Sequence, residues 1–110
     1  LRLEVLSKRA DFLAASRARR QATPGFVLQA HKTGGPSIRI GFTCSKKVGN
    51  AVQRNRAKRR LRALAHVVLP RRGQAGWTYV LIGRREVTAN RAFNELVADL
   101  GRALDKVHGQ

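Results

Sequence analysis

Carboxylates are the scarcest chemistry in this 110-residue chain, with six Asp and Glu against 23 Lys and Arg and a formal charge of +17. Residues 12–85 contain no acid at all, although that stretch carries most of the positive charge. A soluble surface ordinarily intersperses the two signs, and a one-sided excess repels itself in the compact state. The shortage also disfavours a protein nuclease, which needs clustered carboxylates around metal ions or a His-type acid–base pair. Glu4, Asp11, Glu86, Glu95, Asp99 and Asp105 contain one close pair, Glu95 and Asp99. Those two stand among Arg91, Arg102 and Lys106, where surface ion pairing is the expected role. No catalytic residue and no metal ligand is therefore assigned to the chain.

Cysteine is nearly absent too. Cys44 stands alone, which excludes a disulfide framework and a cysteine-based zinc site and suits a small core residue. His31, His66 and His108 align with neither Cys44 nor a carboxylate. No apolar run approaches the length of a membrane span. The start, Leu1-Arg2-Leu3-Glu4, has no signal-peptide pattern, so a cytoplasmic location is expected. With no initiator Met, the sequence is expected to begin slightly inside the natural chain.

What is present is enough apolar material for one core. Hydrophobic residues make up 43% of the chain, too many for a disordered basic tail, and the length suits one domain over residues 1–110. Ser7 is placed to cap a short helix running to about Arg17. Residues 17–25 are basic and end in a Pro-Gly turn signal. Phe26 to His31 alternates, with Phe26, Leu28 and Ala30 on one face and Val27, Gln29 and His31 on the other. Lys32 to Ser37 reads as a hairpin loop, and Ile38 to Cys44 as the returning strand. Asn50 is a plausible N-cap for a helix ending near Leu69, before Pro70. Its apolar stripe is Ala57, Leu61, Leu64 and Val68. Trp77 to Ile82 reads as a buried strand, with Trp77 a core or rim anchor rather than a stacking platform. Asn90 or Thr88 opens a last helix with the stripe Phe93, Leu96, Val97, Leu100, Leu104 and Val107. This order predicts an α+β fold with a single sheet.

The excess charge is concentrated in one segment. Lys46, Lys47, Arg54, Arg56, Lys58, Arg59, Arg60 and Arg62 fall within 17 residues without an acid. At about 100° per residue, Asn55, Arg59, Arg62 and His66 lie opposite the apolar stripe. Arg54 and Lys58 flank them on one shoulder, Arg56 and Arg60 on the other. A solvated helix face usually carries Glu at i,i+4 to limit repulsion, and none is present. Arginine suits bidentate phosphate contacts and stacking on unpaired bases. The pattern points to a polyanion, and His66 is expected to extend the surface that meets it.

The segment SKKVGNAVQRNRAKRRLR resembles the signature of the bacterial ribonuclease P protein family, including its Arg-Asn-Arg core at Arg54, Asn55 and Arg56. ADF at 10–12, PGFVLQA at 24–30, IRIGFT at 38–43 and YVLIGR at 79–84 resemble the family in order and spacing. The resemblance implies a two-layer α+β sandwich of one four-stranded sheet and three helices, with a left-handed β-α-β crossover. It also implies a subunit of the ribonucleoprotein endonuclease that removes the 5′ leader from precursor tRNA. Catalysis would reside in the RNA subunit, with Mg2+ held mainly by that RNA and the substrate. The protein would be a monomer when free, with one copy per RNA. Carried over position by position, Lys46, Lys47, Asn50, Arg54, Asn55, Arg56, Lys58, Arg59 and Arg62 would contact RNA. Phe12, Ser16, Val27, Gln29, Arg54 and Asn55 would line the path of the precursor tRNA leader. Ser16 and Gln29 stand where family members can carry aromatic residues, which leaves Phe12 as the aromatic of that path.

Three other readings compete. A general RNA-binding or ribosomal protein would share the basic helix but has no need of a leader cleft. A DNA-binding protein would place residues 50–68 in a major groove, yet the cations occupy several faces, and basic stretches at 17–20 and 71–72 widen the footprint. A stand-alone nuclease meets the shortage of acids.

Overall fold

The structure, a computed structural model, describes residues 3–109; the outermost residues of the expected 1–110 domain lie outside that range. The elements in chain order are β1 (Leu3–Val5), α1 (Arg9–Ser16), β2 (Arg19–Ala22), β3 (Phe26–Lys32), β4 (Ile38–Thr43), a 3-10 turn (Lys46–Val48), α2 (Ala51–Arg72), β5 (Trp77–Gly83), α3 (Val87–Asn90) and α4 (Phe93–His108). The five strands form one mixed sheet in the order β1-β4-β5-β3-β2. Strands β1 and β5 run parallel to β4, while β3 is antiparallel to both β5 and β2.

Strand β5 explains the layout. Tyr79 and Leu81 face one side and Val80 the other, all buried, with Ile82 half-buried beside Val80. A strand apolar on both faces belongs in the middle of a covered sheet. It lies between β3 and β4, so residues 33–37 do not close a hairpin as the sequence suggested. The loop instead straddles the entry to β5. Thr33 and Gly34 donate their N–H groups to the Gly76 carbonyl at 2.7 and 2.8 Å, and Gly76 N–H donates to Ser37 O at 2.9 Å. The link from β4 to its parallel neighbour β5 is then α2, a β-α-β crossover.

Helices α2 and α4 cover one face, where their predicted stripes bury Leu61, Leu64, Val68, Leu96, Leu100, Leu104 and Val107 against Phe26, Leu28, Ile38, Ile40, Tyr79 and Leu81, with Ala57 of the same stripe also buried. Helix α1 lies on the other face, where Leu6, Phe12 and Ala15 meet Val80 and Ile82. The expected two layers, four strands and three helices therefore become three layers, five strands and four helices. The strands that the residue pattern did not show are β1 and β2, of three and four residues, too short to show periodicity. The added helix is α3, a single turn. The added layer arises because α1 takes the face opposite α2. Gly41 makes that possible: a Cβ there would sit 2.7 Å from the Phe12 ring and 2.9 Å from Leu6. An ion pair from Arg39 to Asp11 at 2.9 Å fastens α1 to β4.

Several boundaries differ from expectation. Helix α1 begins after Lys8, and Ser7 does not cap it. Residues 19–22 are an edge strand rather than loop. Helix α2 runs past Leu69 to Arg72 with Pro70 inside its last turn; proline forfeits one N–H bond there, but Gly73 N–H still donates to Leu69 O at 2.8 Å. Helix α4 starts after Ala92, not at Thr88 or Asn90. Thr88 is instead fully buried, with its Oγ1 donating to Gly25 O at 2.6 Å and accepting from Arg84 N–H at 2.7 Å. Asp99 is not a surface residue: it is fully buried, accepting from Arg91 at 2.8 Å and Arg102 at 2.7 Å.

Trp77 is a rim anchor, its ring edge-on to His108 at 4.5 Å with the Arg19 guanidinium 5.8 Å from its centroid. Next to it the Tyr79 hydroxyl accepts from Gln74 N–H at 2.9 Å, which leaves its proton for His108 Nε2 at 2.6 Å. That bond requires a neutral imidazole. Burial, and then the nearby Arg19 charge, hold His108 below the usual histidine range; burial followed by the Arg39 charge does the same at His31. Burial also pushes the Tyr79 hydroxyl up to about 12. A depressed histidine means that the unfolded chain binds more protons below its own pKa, so stability falls as pH drops through about 6.5. Thermal unfolding should show Tm declining from pH 7 to pH 5. His108→Gln, which keeps an acceptor for Tyr79 but does not titrate, should show a smaller decline. An equal decline in both proteins would remove His108 from the acid response.

Candidate nucleic-acid interface

The basic segment is built from its lead-in. Val48 is buried and anchors the 3-10 turn, leaving Lys46 and Lys47 exposed. Gly49 follows at φ 146°, and a Cβ there would lie 2.0 Å from Gln53 Oε1. That oxygen is committed: it accepts Asn50 N–H at 2.8 Å while Asn50 Oδ1 accepts Gln53 N–H at 2.9 Å. The pair is a reciprocal cap, so the Gly-Asn sequence sets where α2 begins. Asn50, expected among RNA contacts, already spends its side-chain oxygen there.

Beyond the cap, Asn55, Lys58, Arg59 and Arg62 are exposed and, with Val52, line a groove of about 520 Å3 along the outer face of α2. The Arg62 guanidinium lies 5.6 Å from the centre of the Phe42 ring, a cation–π contact that holds a long side chain toward the sheet. His66 continues this face and turns its Nδ1 onto Arg62 O at 2.9 Å. Arg54, Asn55 and Lys58 share a smaller groove of about 160 Å3 with Ala51 and Cys44. Burial pushes the Cys44 thiol up from its ordinary value, as for a packed thiol rather than a nucleophile.

The other shoulder is occupied differently. Arg56 Nε donates to Ala89 O at 3.1 Å and Arg60 Nη1 to Thr88 O at 2.8 Å. These carbonyls end α3, where intrahelical donors are lacking. Both arginines therefore tie α2 to α3, and burial followed by the neighbouring Arg56 charge pushes Arg60 down from its ordinary value.

The acids are engaged elsewhere. Glu4 accepts from Ser37, Asp11 from Arg39, Asp99 from Arg91 and Arg102, and Asp105 from Arg72, while Glu86 and Glu95 pair with Arg85 and Arg91. None of the eight cations between Lys46 and Arg62 has a carboxylate partner among the described residues. Nor do three His, Cys, Asp or Glu side chains converge among them. None of the described helices is long and apolar enough to cross a membrane.

The residues expected along the leader path come from α1, β3 and α2. Phe12, Val27 and Gln29 lie on the α1 face of the sheet, with Val27 and Gln29 only 6% and 7% exposed and Phe12 half-buried against Leu6, Ala15 and Val80. Ser16 ends α1 exposed, its hydroxyl donating to Leu13 O at 2.6 Å. Arg54 and Asn55 belong to the first turns of α2. Sequence reasoning passed over Val52, which is 76% exposed. It stands three residues before Asn55 on the polar face, and an apolar residue in that position was the available signal.

The family model described as Ribonuclease P matches residues 2–108. The ribonuclease P protein component of Ruegeria pomeroyi is 59% identical, with 96% of this chain and 87% of that protein covered. The component from Paramagnetospirillum magneticum is 50% identical over 96% of this chain and 84% of its own. Among solved structures, the RNase P protein of Thermotoga maritima superposes with a TM-score of 0.78 at 26% identity, covering 96% of this chain and 99% of that one. The Staphylococcus aureus RNase P protein has the same fold, with a TM-score of 0.76 at 24% identity and 94% of each chain covered. Matched by that family model over residues 2–108 and 59% identical to a ribonuclease P protein component over 96% of its length, the chain belongs to the ribonuclease P protein family.

Proposed function

We propose that this protein is the RNA-binding subunit of a ribonuclease P that removes the 5′ leader from precursor tRNA. It works by binding the RNA subunit through the 46–62 segment and the leader through the α1 face. The observation that carries this reading is the outer face of α2, where exposed cations stand without a carboxylate partner on a helix whose other side is firmly buried. Phosphate contacts by such cations release condensed counterions and lower the repulsion between RNA segments that must pack together. Among the described residues no three His, Cys, Asp or Glu side chains converge, as a protein centre for metal-dependent phosphodiester hydrolysis would need. The reaction is accordingly assigned to the RNA, with magnesium held by that RNA and the substrate. The protein's contribution is affinity and a lower magnesium requirement.

Reconstitution tests this directly. Purified protein should leave precursor tRNA intact, and adding it to ribonuclease P RNA should permit cleavage at magnesium concentrations where the RNA alone is slow. Accurate cleavage at the mature 5′ end by RNA-free protein would overturn the assignment.

Replacing Lys58, Arg59 and Arg62 together by Ala should weaken binding to the RNA subunit and flatten its salt dependence. The slope of log K against log salt should fall by roughly 0.7–0.9 for each phosphate that the variant no longer neutralises. An unchanged slope would show that RNA binds another face.

Phe12→Ala should cost about 1–3 kcal/mol in holoenzyme binding to a leader-bearing substrate, the range for removal of one base-stacking aromatic, and little for mature tRNA. Equal weakening on both RNAs together with a lowered Tm would place Phe12 with the core residues it touches.

A further inference from the structure

We propose that the notch between the start of α2 and α3 is a pocket for one unpaired base of the RNA subunit, an inference that rests on the RNA-binding function proposed above. The notch holds about 210 Å3 and is more enclosed than the groove along the outer face of α2. A dry cavity of roughly 150 Å3 accepts benzene, so the space suits a single heteroaromatic ring system. Its floor is apolar, formed by the buried Val48 and Ala89, and exposed Val52 makes one wall. Gln53, Glu86 and Asn90 stand around it with amide and carboxylate groups, and Arg56 lines it from α2.

Two features identify the ligand. The first is charge. The Glu86 carboxylate repels phosphate and offsets Arg56, so the notch favours a neutral ring with hydrogen-bonding edges. A carboxylate accepts well from the amino and imino groups of a base edge, and unpaired bases in RNA expose those edges. The second is position. Val52 lines both this notch and the groove of Asn55, Lys58, Arg59 and Arg62. RNA whose phosphates follow those cations therefore brings a nucleotide to the mouth of the notch.

The backbone supplies an independent indication. Glu86 is the one non-glycine residue with positive φ among the described residues, at φ 63° and ψ −43°. Side-chain-bearing residues rarely occupy such conformations and do so chiefly where surrounding structure enforces them, often at binding sites. Here the enforcement is visible: Val87 N–H donates to Arg85 O at 2.7 Å, closing a tight turn across Glu86, while Arg56 and Arg60 hold the Ala89 and Thr88 carbonyls just beyond it. The fold's own bonds to Glu86 do not require its side chain, whose nearest cation is exposed Arg85 at 3.7 Å.

The test compares wild type with Val52→Ala and Glu86→Gly in binding to full-length ribonuclease P RNA across a salt series. Val52 is exposed and glycine accepts positive φ, so both variants should keep the wild-type Tm or, for Glu86→Gly, exceed it. Glu86→Gly, which removes a partner of the base edge, should bind more weakly by roughly five- to 150-fold, the span for one base-edge contact, even though it also removes a carboxylate that repels phosphate. Val52→Ala should bind more weakly by up to about tenfold, with an unchanged salt slope because it removes no charge. Footprinting with kethoxal and dimethyl sulfate, which modify base edges, should show one unpaired base protected by wild type and reactive with Glu86→Gly. Wild-type affinity in both variants, or weakening through a flattened slope, would overturn the base pocket while leaving the RNA-binding function intact. Failure of the wild-type protein to bind this RNA would instead remove the function on which the pocket rests.

Discussion

Burying both faces of β5 is the constraint on which the rest of this structure depends. A seven-residue strand with apolar side chains on each side leaves too much surface in water unless it sits centrally with cover above and below. Its place between β3 and β4 forces the chain after β4 to cross the sheet before returning, and α2 is that crossing. Helix α1 then caps the other face, where Gly41 allows Phe12 and Leu6 to approach the backbone. The site follows from the same arrangement. A helix of 22 residues, about 33 Å long at 1.5 Å per residue, is held along one side only and offers its remaining sides to a partner.

The few carboxylates then acquire specific duties. Asp99 is buried with two arginines, Asp11 fastens α1 to β4, and Asp105 pairs the end of α2 with α4. Each neutralises cations away from the segment 46–62, so positive charge on the outer side of α2 is left unbalanced. Self-repulsion there costs folding stability, and a polyanion bound along that side would relieve it. Burial and exposure are thus divided between faces of one helix: Ala57, Leu61, Leu64 and Val68 hold it down, while Lys58, Arg59 and Arg62 remain exposed.

The two shoulders of α2 show that charge alone does not define a contact. Arg54 and Lys58 open onto a groove, whereas Arg56 and Arg60 cap the carbonyls of α3. Identical side chains two residues apart serve different ends because α3 happens to pack on one side only. Those bonds tie α3 to α2, while the Val87 N–H bond to Arg85 O closes the turn that keeps Glu86 at positive φ beside the notch.

By itself the sequence determined the features that depend on short-range periodicity and composition. The stripe of α2, its Asn50 cap, the stripe of α4, the opposing faces of β3 and the cationic segment were all legible, because neighbours along a helix or strand set them. The family signature in residues 45–62 was equally local. Only the tertiary structure decided which strands are neighbours, since insertion of β5 between β3 and β4 is a long-range pairing that the loop at 33–37 cannot announce. It also decided the three-layer arrangement, the burial of Asp99, the division of arginines between bonding α3 and facing solvent, and the placing of Phe12, Val27 and Gln29 on one face of the sheet. These depend on which surfaces meet across the fold, and that is settled by burying the most apolar strand, not by any pattern a few residues long.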